Sequence, residues 1–446
     1  MFLPDEGCSS HQASCQIRKA LAEDIDPDLN FGRYVATTID GEAETLLMHS
    51  YGKNLACSGE YNAVSEFHDN CLKIIANLWH AGARDNPVGA ATSGSSEAIL
   101  VAMLALKRRW LNRPLKNVQE RGKPNILVGA HAHVSIEVSA AICDVEVRVV
   151  DVCADFGYSL ETSLLKDFLD SNTIGVITIV GNTYTGAFDP VAKVNDLLNE
   201  YQDQTGLDVP IHVDAASGGF VAPFLRMNIR WDFCIPRVVS INASGHKFGL
   251  VPAAVGWLVF RDKSYLSGDM MFQASYLQPQ TEHFTISYSK PSSGVVIQYY
   301  YLMSLGRTGF ELAISEVMET AAYLRNLLKI TGWFDCVDIA NPQVEPQRDH
   351  NVKVSRWEGL PVIAFSLATL LRTRCPEFTE AKLSKALLAK GYSVPCTTLS
   401  VKTEQKTFLR VVIRRATGRK LALSLFLNIA SLVQEQLDVV DMGYEQ

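Results

Sequence analysis

Apolar residues recur at helical spacing from Glu60 onward, through Phe67, Cys71, Ile74, Ile75 and Leu78, and this pattern predicts an amphipathic helix. A second helix is predicted after Thr92-Ser93-Gly94-Ser95-Ser96, running through Trp110. Beyond it the period changes. Short apolar runs at 125–128, 145–150, 174–180, 209–213 and 238–241 read as strands, and the run at 250–260 reads as a further buried strand. The stretches between them are helix-length, such as 191–205 with Gly206 as its stop. Strands separated by helix-length crossovers predict a mostly parallel sheet covered on both faces. After Gln298 a long helical region to about Ile330 leads into strands at 361–367 and 408–413, with helices at 377–390 and 420–437. The fold class is therefore α/β, with the mostly parallel sheet in a large domain and a smaller α+β C-terminal domain. The predicted division is an N-terminal arm at 1–55, a large domain at 56–300 and a small domain at 301–446. The arm reads as mixed and loop-rich, with turn signals at Asp26-Pro27-Asp28 and Asp40-Gly41.

Composition narrows the classes. The chain has 446 residues, 47% hydrophobic and 20% charged, which is enough to bury a large core. A net charge of −7 argues against nucleic acid or an anionic membrane as the main partner. Ten cysteines are scattered without a Cys-x-x-Cys pair or metal-ligand spacing, which predicts reduced thiols, a cytoplasmic location and no metal site. The start, Met-Phe-Leu-Pro-Asp-Glu-Gly, lacks a secretory pattern, and the apolar runs at 174–180 and 250–260 are too short to span a bilayer.

Two strings carry chemistry. His212-Val-Asp-Ala-Ala-Ser-Gly-Gly places Asp214 at the end of a buried strand, and Ser244-Gly-His-Lys-Phe-Gly places Lys247 in a glycine-rich turn. A lysine amine can bind the aldehyde of pyridoxal phosphate, and an aspartate can pair with its protonated pyridine nitrogen. Gly94-Ser95-Ser96 lies where a helix begins, with hydroxyls, free N–H groups and the positive dipole end to offer a phosphate; alone, it reads as readily as a simple N-cap. Open α/β sheets bind ligands at the C-terminal ends of their strands, where Asp214 lies, although a lone aspartate there could equally cap a turn. Ser244 and His246, beside Lys247, could add phosphate donors. Ala215, Ala216, Gly218 and Gly219 are small enough for a flat ring to approach the backbone.

Longer strings extend the pattern: ATSGSSEA (91–98), TYTGAFDP (183–190), HVDAASGGFVAPF (212–224), SGHKFGLVPAAVGWLVFRD (244–262) and LRVVIRR (409–415). In this order they resemble the group II pyridoxal-phosphate decarboxylases, with the nearest likeness to glutamate decarboxylase, from about Asn30 to about Leu421. The resemblance implies an aspartate aminotransferase-like fold (fold type I). It also implies decarboxylation of an acidic amino acid and a homodimer or higher homo-oligomer with sites at the interface.

The same resemblance assigns roles. Lys247 binds the cofactor covalently and Asp214 pairs with its ring nitrogen; Ser95, Ser96, Ser244 and His246 surround the phosphate, and Ser289 reaches it from the other subunit. Thr183 lies near the cofactor's phenolic oxygen and the substrate carboxylate. Ala216 lies under one ring face and His133 stacks on the other, where a lone histidine might otherwise be structural. Arg410 holds the substrate α-carboxylate. Tyr276, on a mobile loop, or His133 returns a proton to the α-carbon.

Substrate choice is less constrained. Glutamate enzymes use an Ala-Thr-Phe string in the arm with an asparagine and an aspartate of the other chain; here the arm reads Ala36-Thr37-Thr38, Asn54 is kept, and Cys57 replaces the aspartate. That exchange removes a charge from the pocket, by drift or by re-tuning toward a glutamate-like acid with an altered distal group. Decarboxylation of aspartate, cysteine sulfinate or an aromatic amino acid, or a non-catalytic protein of the same fold, are the alternatives.

Overall fold

In the computed structural model the described residues are 2–36, 38–57, 59–82, 85–113, 122–225, 229–252, 254–273, 282–339, 359–402 and 404–444. The arm carries more helix than its composition suggests. Helix α1 (Ser10–Leu21) opens with a reciprocal capping box between Ser9 and Gln12, and α2 (Gly41–Ser50) is capped by the Asp40 side chain, which accepts from Ala43 N–H. The loop-rich expectation weighed Asp40 as a turn signal, whereas it caps α2.

The amphipathic stretch forms α3 (Asn62–Leu78), followed by strand β1 (Val88–Thr92) and α4 (Ser95–Leu111). Then come β2 (Asn125–Gly129), α5 (Val134–Ile142), β3 (Glu146–Val150), β4 (Thr173–Ile179), α6 (Val191–Thr205), β5 (Ile211–Asp214), β6 (Val238–Ser244) and β7 (Gly256–Phe260). These seven strands form one sheet in the order β1-β7-β6-β5-β4-β2-β3. The pairs from β3 across to β6 are parallel, while β7 runs antiparallel to both β6 and β1. Every residue of β4 and β6 is buried, because helices cover both sheet faces. Ile126, Val128 and Ile177 pack with Ile99 and Met103 of α4, and Leu127, Val176 and Val213 pack with Ile75 and Trp79 on the opposite face.

Two expected strands are trimmed. The run at 250–260 is a strand only from Gly256, since Pro252 lacks a donor and Leu250 (φ 67°) and Ala254 (φ 88°) adopt left-handed backbone. Likewise β5 starts after Pro210, which cannot donate to a central ladder.

Helix α7 (Ser293–Ile330) bends at Gly306 (φ 57°) and packs on α2 and α3. The expected division between residues 300 and 301 falls inside it. A second sheet follows, formed by β8 (Phe334–Cys336), β9 (Val362–Leu367), β10 (Cys396–Val401) and β11 (Glu404–Val412) in the order β8-β9-β11-β10 and antiparallel throughout. Helices α8 (Thr369–Arg374), α9 (Glu380–Ala389) and α10 (Arg419–Tyr444) complete it. By length and composition α10 is apolar enough to cross a membrane, which the shorter runs considered above are not. It packs instead on α7 and α9, with Leu425, Ile429 and Val433 fully buried.

Residues 27–36 of the arm run between the two sheets. Phe31 N–H donates to Ser393 O (2.9 Å) and accepts at its own carbonyl from Val412 N–H (2.8 Å), while Ala36 N–H donates to His246 O (2.9 Å). The Arg414 guanidinium donates to the carbonyl of Asn30 (2.9 Å).

Candidate active site

The C-terminal ends of β4, β5 and β6 and the N-terminus of α4 surround a cavity of ≈ 320 Å³. Ser95, Ser96, His133, Thr183, Asp214, Ala216, Ser244, His246 and Lys247, nine of the expected site residues, line it together. Three larger depressions, of ≈ 820, ≈ 500 and ≈ 490 Å³, hold none of these; we assign the chemistry to the smaller cavity, because Asp214, Lys247 and the free end of α4 converge there.

Helix α4 has Gly94 as its N-cap and no side-chain cap, so its first N–H groups face the cavity entrance without a competing side chain. The hydroxyls of Ser95 and Ser244 meet at 2.7 Å. Gly256 makes this convergence possible, since a Cβ there would stand 2.5 Å from the Gly94 carbonyl carbon. His246 donates from Nδ1 to Val255 O (3.0 Å), so its Nε2 becomes a donor to a phosphate only on taking up a second proton. The free α4 N–H groups and the two hydroxyls are donors suited to a phosphate dianion.

Strand register explains the other end of the cavity. In β5 and β6, His212 pairs with Ser240 and Asp214 with Asn242, and alternation puts all four on one face. Asn242 Nδ2 donates to Asp214 Oδ1 (2.9 Å), and Ala216 N–H donates to the same oxygen (3.0 Å). Asn242 Oδ1 must then accept from His212 Nε2–H (2.9 Å), so His212 Nδ1 accepts from the Ser240 hydroxyl (2.8 Å). Burial depresses the His212 pKa to about 4 against the opposing pull of Asp214, so this histidine is neutral.

Lys247 is half-buried and donates to Ser217 Oγ at 3.1 Å. Burial lowers its pKa, Arg410 lowers it further, and Asp214 partly offsets both. His133 caps α5 by accepting from Ser135 N–H at Nδ1 (3.2 Å), and its pKa is lowered by burial and by Lys247. Its ring proton therefore sits on Nε2. A second histidine, His131, also lines the cavity and pairs with Asp189 at 2.8 Å, both fully buried. Burial opposes its protonation, but Asp189 outweighs it and raises the pKa.

Arg410 lies on β11, outside the cavity lining but joined to it. It donates from Nη1 to Thr183 O (2.7 Å) and from Nη2 to Gly32 O (2.6 Å), while its buried Nε has no partner among the described residues. Tyr34 of the arm also donates to Thr183 O (2.9 Å).

The remaining expected residues do not reach this cavity. Asn54 accepts at Oδ1 from Lys290 N–H (3.1 Å), Cys57 N–H donates to Asn54 O (3.1 Å), and Ser289 and Thr38 are exposed. Thr37 and Tyr276 lie outside the described residues. Sequence reasoning missed Tyr34, His131, Asp189, Ser217, His212 and Asn242. The strand alternation of His212/Asp214 and Ser240/Asn242/Ser244 was a usable signal for two of them; Tyr34, His131 and Asp189 had none.

The sequence model of the pyridoxal-dependent decarboxylase conserved domain matches residues 17–344. A glutamate decarboxylase of Petunia hybrida is 37% identical over 435 residues, covering 97% of this chain and 82% of that protein. A glutamate decarboxylase of Saccharomyces cerevisiae is 35% identical, covering 97% of this chain and 78% of its own length. Among solved structures, the Lactobacillus brevis glutamate decarboxylase superposes with a TM-score of 0.88 at 32% identity, covering 98% of this chain and 95% of that one. The donor set fits the cofactor of this group: hydroxyls and a free helix N-terminus for a phosphate, an acceptor at a strand end for a ring nitrogen, and a desolvated amine for an aldehyde. The chain belongs to the pyridoxal-dependent decarboxylase family and is a pyridoxal-phosphate-dependent amino-acid decarboxylase of the fold type I architecture.

Proposed function

We propose that the protein decarboxylates L-glutamate, giving the corresponding amine and carbon dioxide, with Lys247 as the residue that binds the cofactor covalently. One observation carries this reading: a half-buried, pKa-lowered amine sharing its cavity with Asp214, in a chain whose near full-length relatives are glutamate decarboxylases. Burial makes the Lys247 ammonium give up its proton more readily than a free lysine, and the neutral amine is the form that attacks an aldehyde. Asp214, fixed by Asn242 and Ala216, is the acceptor for the pyridine nitrogen. Ser95, Ser96, Ser244 and His246, with the α4 N-terminus, hold the phosphate. Ala216 and His133 flank the ring. Pyridoxal phosphate, when bound, supplies a sink for the electron pair left on the α-carbon as carbon dioxide departs.

Arg410 receives the substrate α-carboxylate, with Nε as its unused buried donor, and Thr183 stands beside it. A proton must then replace the lost carboxyl group on the α-carbon. His133, with its proton on Nε2, is one donor for this step, and Tyr276 is the other. A second copy of the chain completes the site. Ser289 is exposed, and Asn54 is bonded to the neighbouring Lys290 and to Cys57, so these residues sit together outside the cavity that holds their own Lys247 and are available to a partner. The seven-stranded sheet forms the large cofactor domain and the four-stranded sheet the small one. Ten free cysteines, exposed ones among them, support a reducing, cytoplasmic location.

The test is product analysis of the purified protein with pyridoxal phosphate and a panel of glutamate, aspartate, cysteine sulfinate and an aromatic amino acid. Carbon dioxide and amine from glutamate, lost in Lys247→Ala, are expected. A protein that binds the cofactor yet releases no carbon dioxide from glutamate would refute the substrate assignment.

A further inference from the structure

Tyr34 joins the three parts of the site that lie farthest apart in the chain. Its ring centroid stands 5.3 Å from Lys247 Nζ and 5.3 Å from Arg410 Cζ, and an edge contact with Phe248 at 6.4 Å fixes its orientation. Its hydroxyl donates to Thr183 O, the carbonyl that Arg410 also uses. Only 8% of the residue is exposed. Burial pushes the hydroxyl pKa up to about 12, so it remains a neutral donor at any working pH.

Arg410 has few other restraints. Its two hydrogen bonds go to backbone carbonyls of separate segments, Gly32 and Thr183, and both segments also hold Tyr34 in place. No carboxylate pairs with it among the described residues. An aromatic face is the ring system's way of holding a guanidinium without consuming its donors, because the attraction runs through the ring quadrupole and leaves the N–H edge free. A carboxylate partner would do the opposite, occupying that edge and competing with the substrate.

We infer that Tyr34 is a positioning and specificity residue of the active site, an aromatic support from the N-terminal arm that holds the Arg410 guanidinium while leaving its buried Nε donor unpaired for a substrate carboxylate. This rests on the reading of Arg410 given above. The arm then sets carboxylate affinity without touching the reacting bond. The ring is the working part, and the hydroxyl chiefly anchors it to Thr183.

Three variants of the full-length holoprotein test this: Tyr34→Leu, which keeps apolar bulk and removes the ring; Tyr34→Phe, which keeps the ring and removes the hydroxyl; and Arg410→Ala as the control. The readouts are KM and kcat for glutamate, and the Kd of glutarate, a dicarboxylate without an amine, by calorimetry. Tyr34→Leu is expected to raise both KM and the glutarate Kd about tenfold with kcat changed less than about threefold, the signature of lost carboxylate binding. Tyr34→Phe is expected to stay within about threefold on all three. Wild-type KM and Kd in Tyr34→Leu, or equal losses in the Leu and Phe variants, would overturn the inference. If Arg410→Ala itself leaves glutarate binding unchanged, the fault lies in the Arg410 assignment instead.

Discussion

Lowering the pH should cost this protein stability through one buried histidine, and the cost is calculable. His212 is neutral in the folded chain with a pKa of about 4, against an ordinary value of 6.5, because burial outweighs the nearby Asp214. In the unfolded chain the same ring takes up a proton below 6.5. Between the two values the unfolded state binds more protons, so stability falls as pH falls and is fully present only above about 6.5. At pH 4.5 the gap is about two pH units, or about 3 kcal/mol at 1.36 kcal/mol per unit. With an unfolding entropy of about 2.1 cal/mol/K per residue over the whole chain, that is a fall of about 3 °C in Tm. The perturbation that isolates it is His212→Gln, whose amide can repeat both hydrogen bonds and cannot protonate. Cofactor-free wild type and variant would be melted by scanning fluorimetry at pH 7.5 and 4.5. The variant, whatever its own Tm at pH 7.5, should lose about 3 °C less than wild type on acidification. Parallel losses, within about 1 °C, would refute the assignment of a neutral, acid-sensitive His212.

Three further outcomes follow from the geometry. Asp214→Ala leaves the Asn242 amide and Ala216 N–H without their acceptor, and the Kd for pyridoxal phosphate, measured by fluorescence titration, should rise at least about tenfold, as for loss of a charge-assisted contact; retained affinity would remove the aspartate from the cofactor site. Gly218→Ala puts a Cβ 2.2 Å from Val180 O, a backbone atom that cannot swing away, and should cost about 1–3 kcal/mol or prevent soluble expression; a wild-type melting curve would mean the β4 edge moves freely. Cys57→Asp should shift the ratio of kcat/KM values toward glutamate and away from glutamate-like acids lacking a distal carboxylate, and an unchanged ratio would mark Cys57 as drift.

The large sheet was legible because burial on both faces turns each central strand into a short apolar run bounded by helix-length segments, as at Thr173–Ile179 and Val238–Ser244. What blurred the reading was chemistry local to a few residues. Pro210 and the left-handed Leu250 and Ala254 shortened two strands, and Asp40 and Ser9 turned presumed loops into capped helices. Much of the cavity lining was legible because Asp214 and Lys247 sit in compact strings. The support around them was legible only in part. His212 and Asn242 follow from period-two alternation once β5 and β6 are known to be neighbours, a pairing that no single string contains. Tyr34 depends on tertiary contacts alone: its partners Thr183, Lys247 and Arg410 come from distant segments, and nothing around residue 34 marks it as polar chemistry.

The Arg410 guanidinium joins Gly32 and Thr183, partners 378 and 227 residues earlier in the chain. Synthesis proceeds from the N-terminus, so the cradle formed by α4 and β4 to β6 is complete while the strand bearing Arg410 has yet to leave the ribosome. During that interval a nascent chain can gather the Lys247 end of the site but not the guanidinium that ties it to the arm. The junction of arm, Thr183 and Arg410 is thereby the last part of the site to be made, and a chain released before residue 410 lacks it.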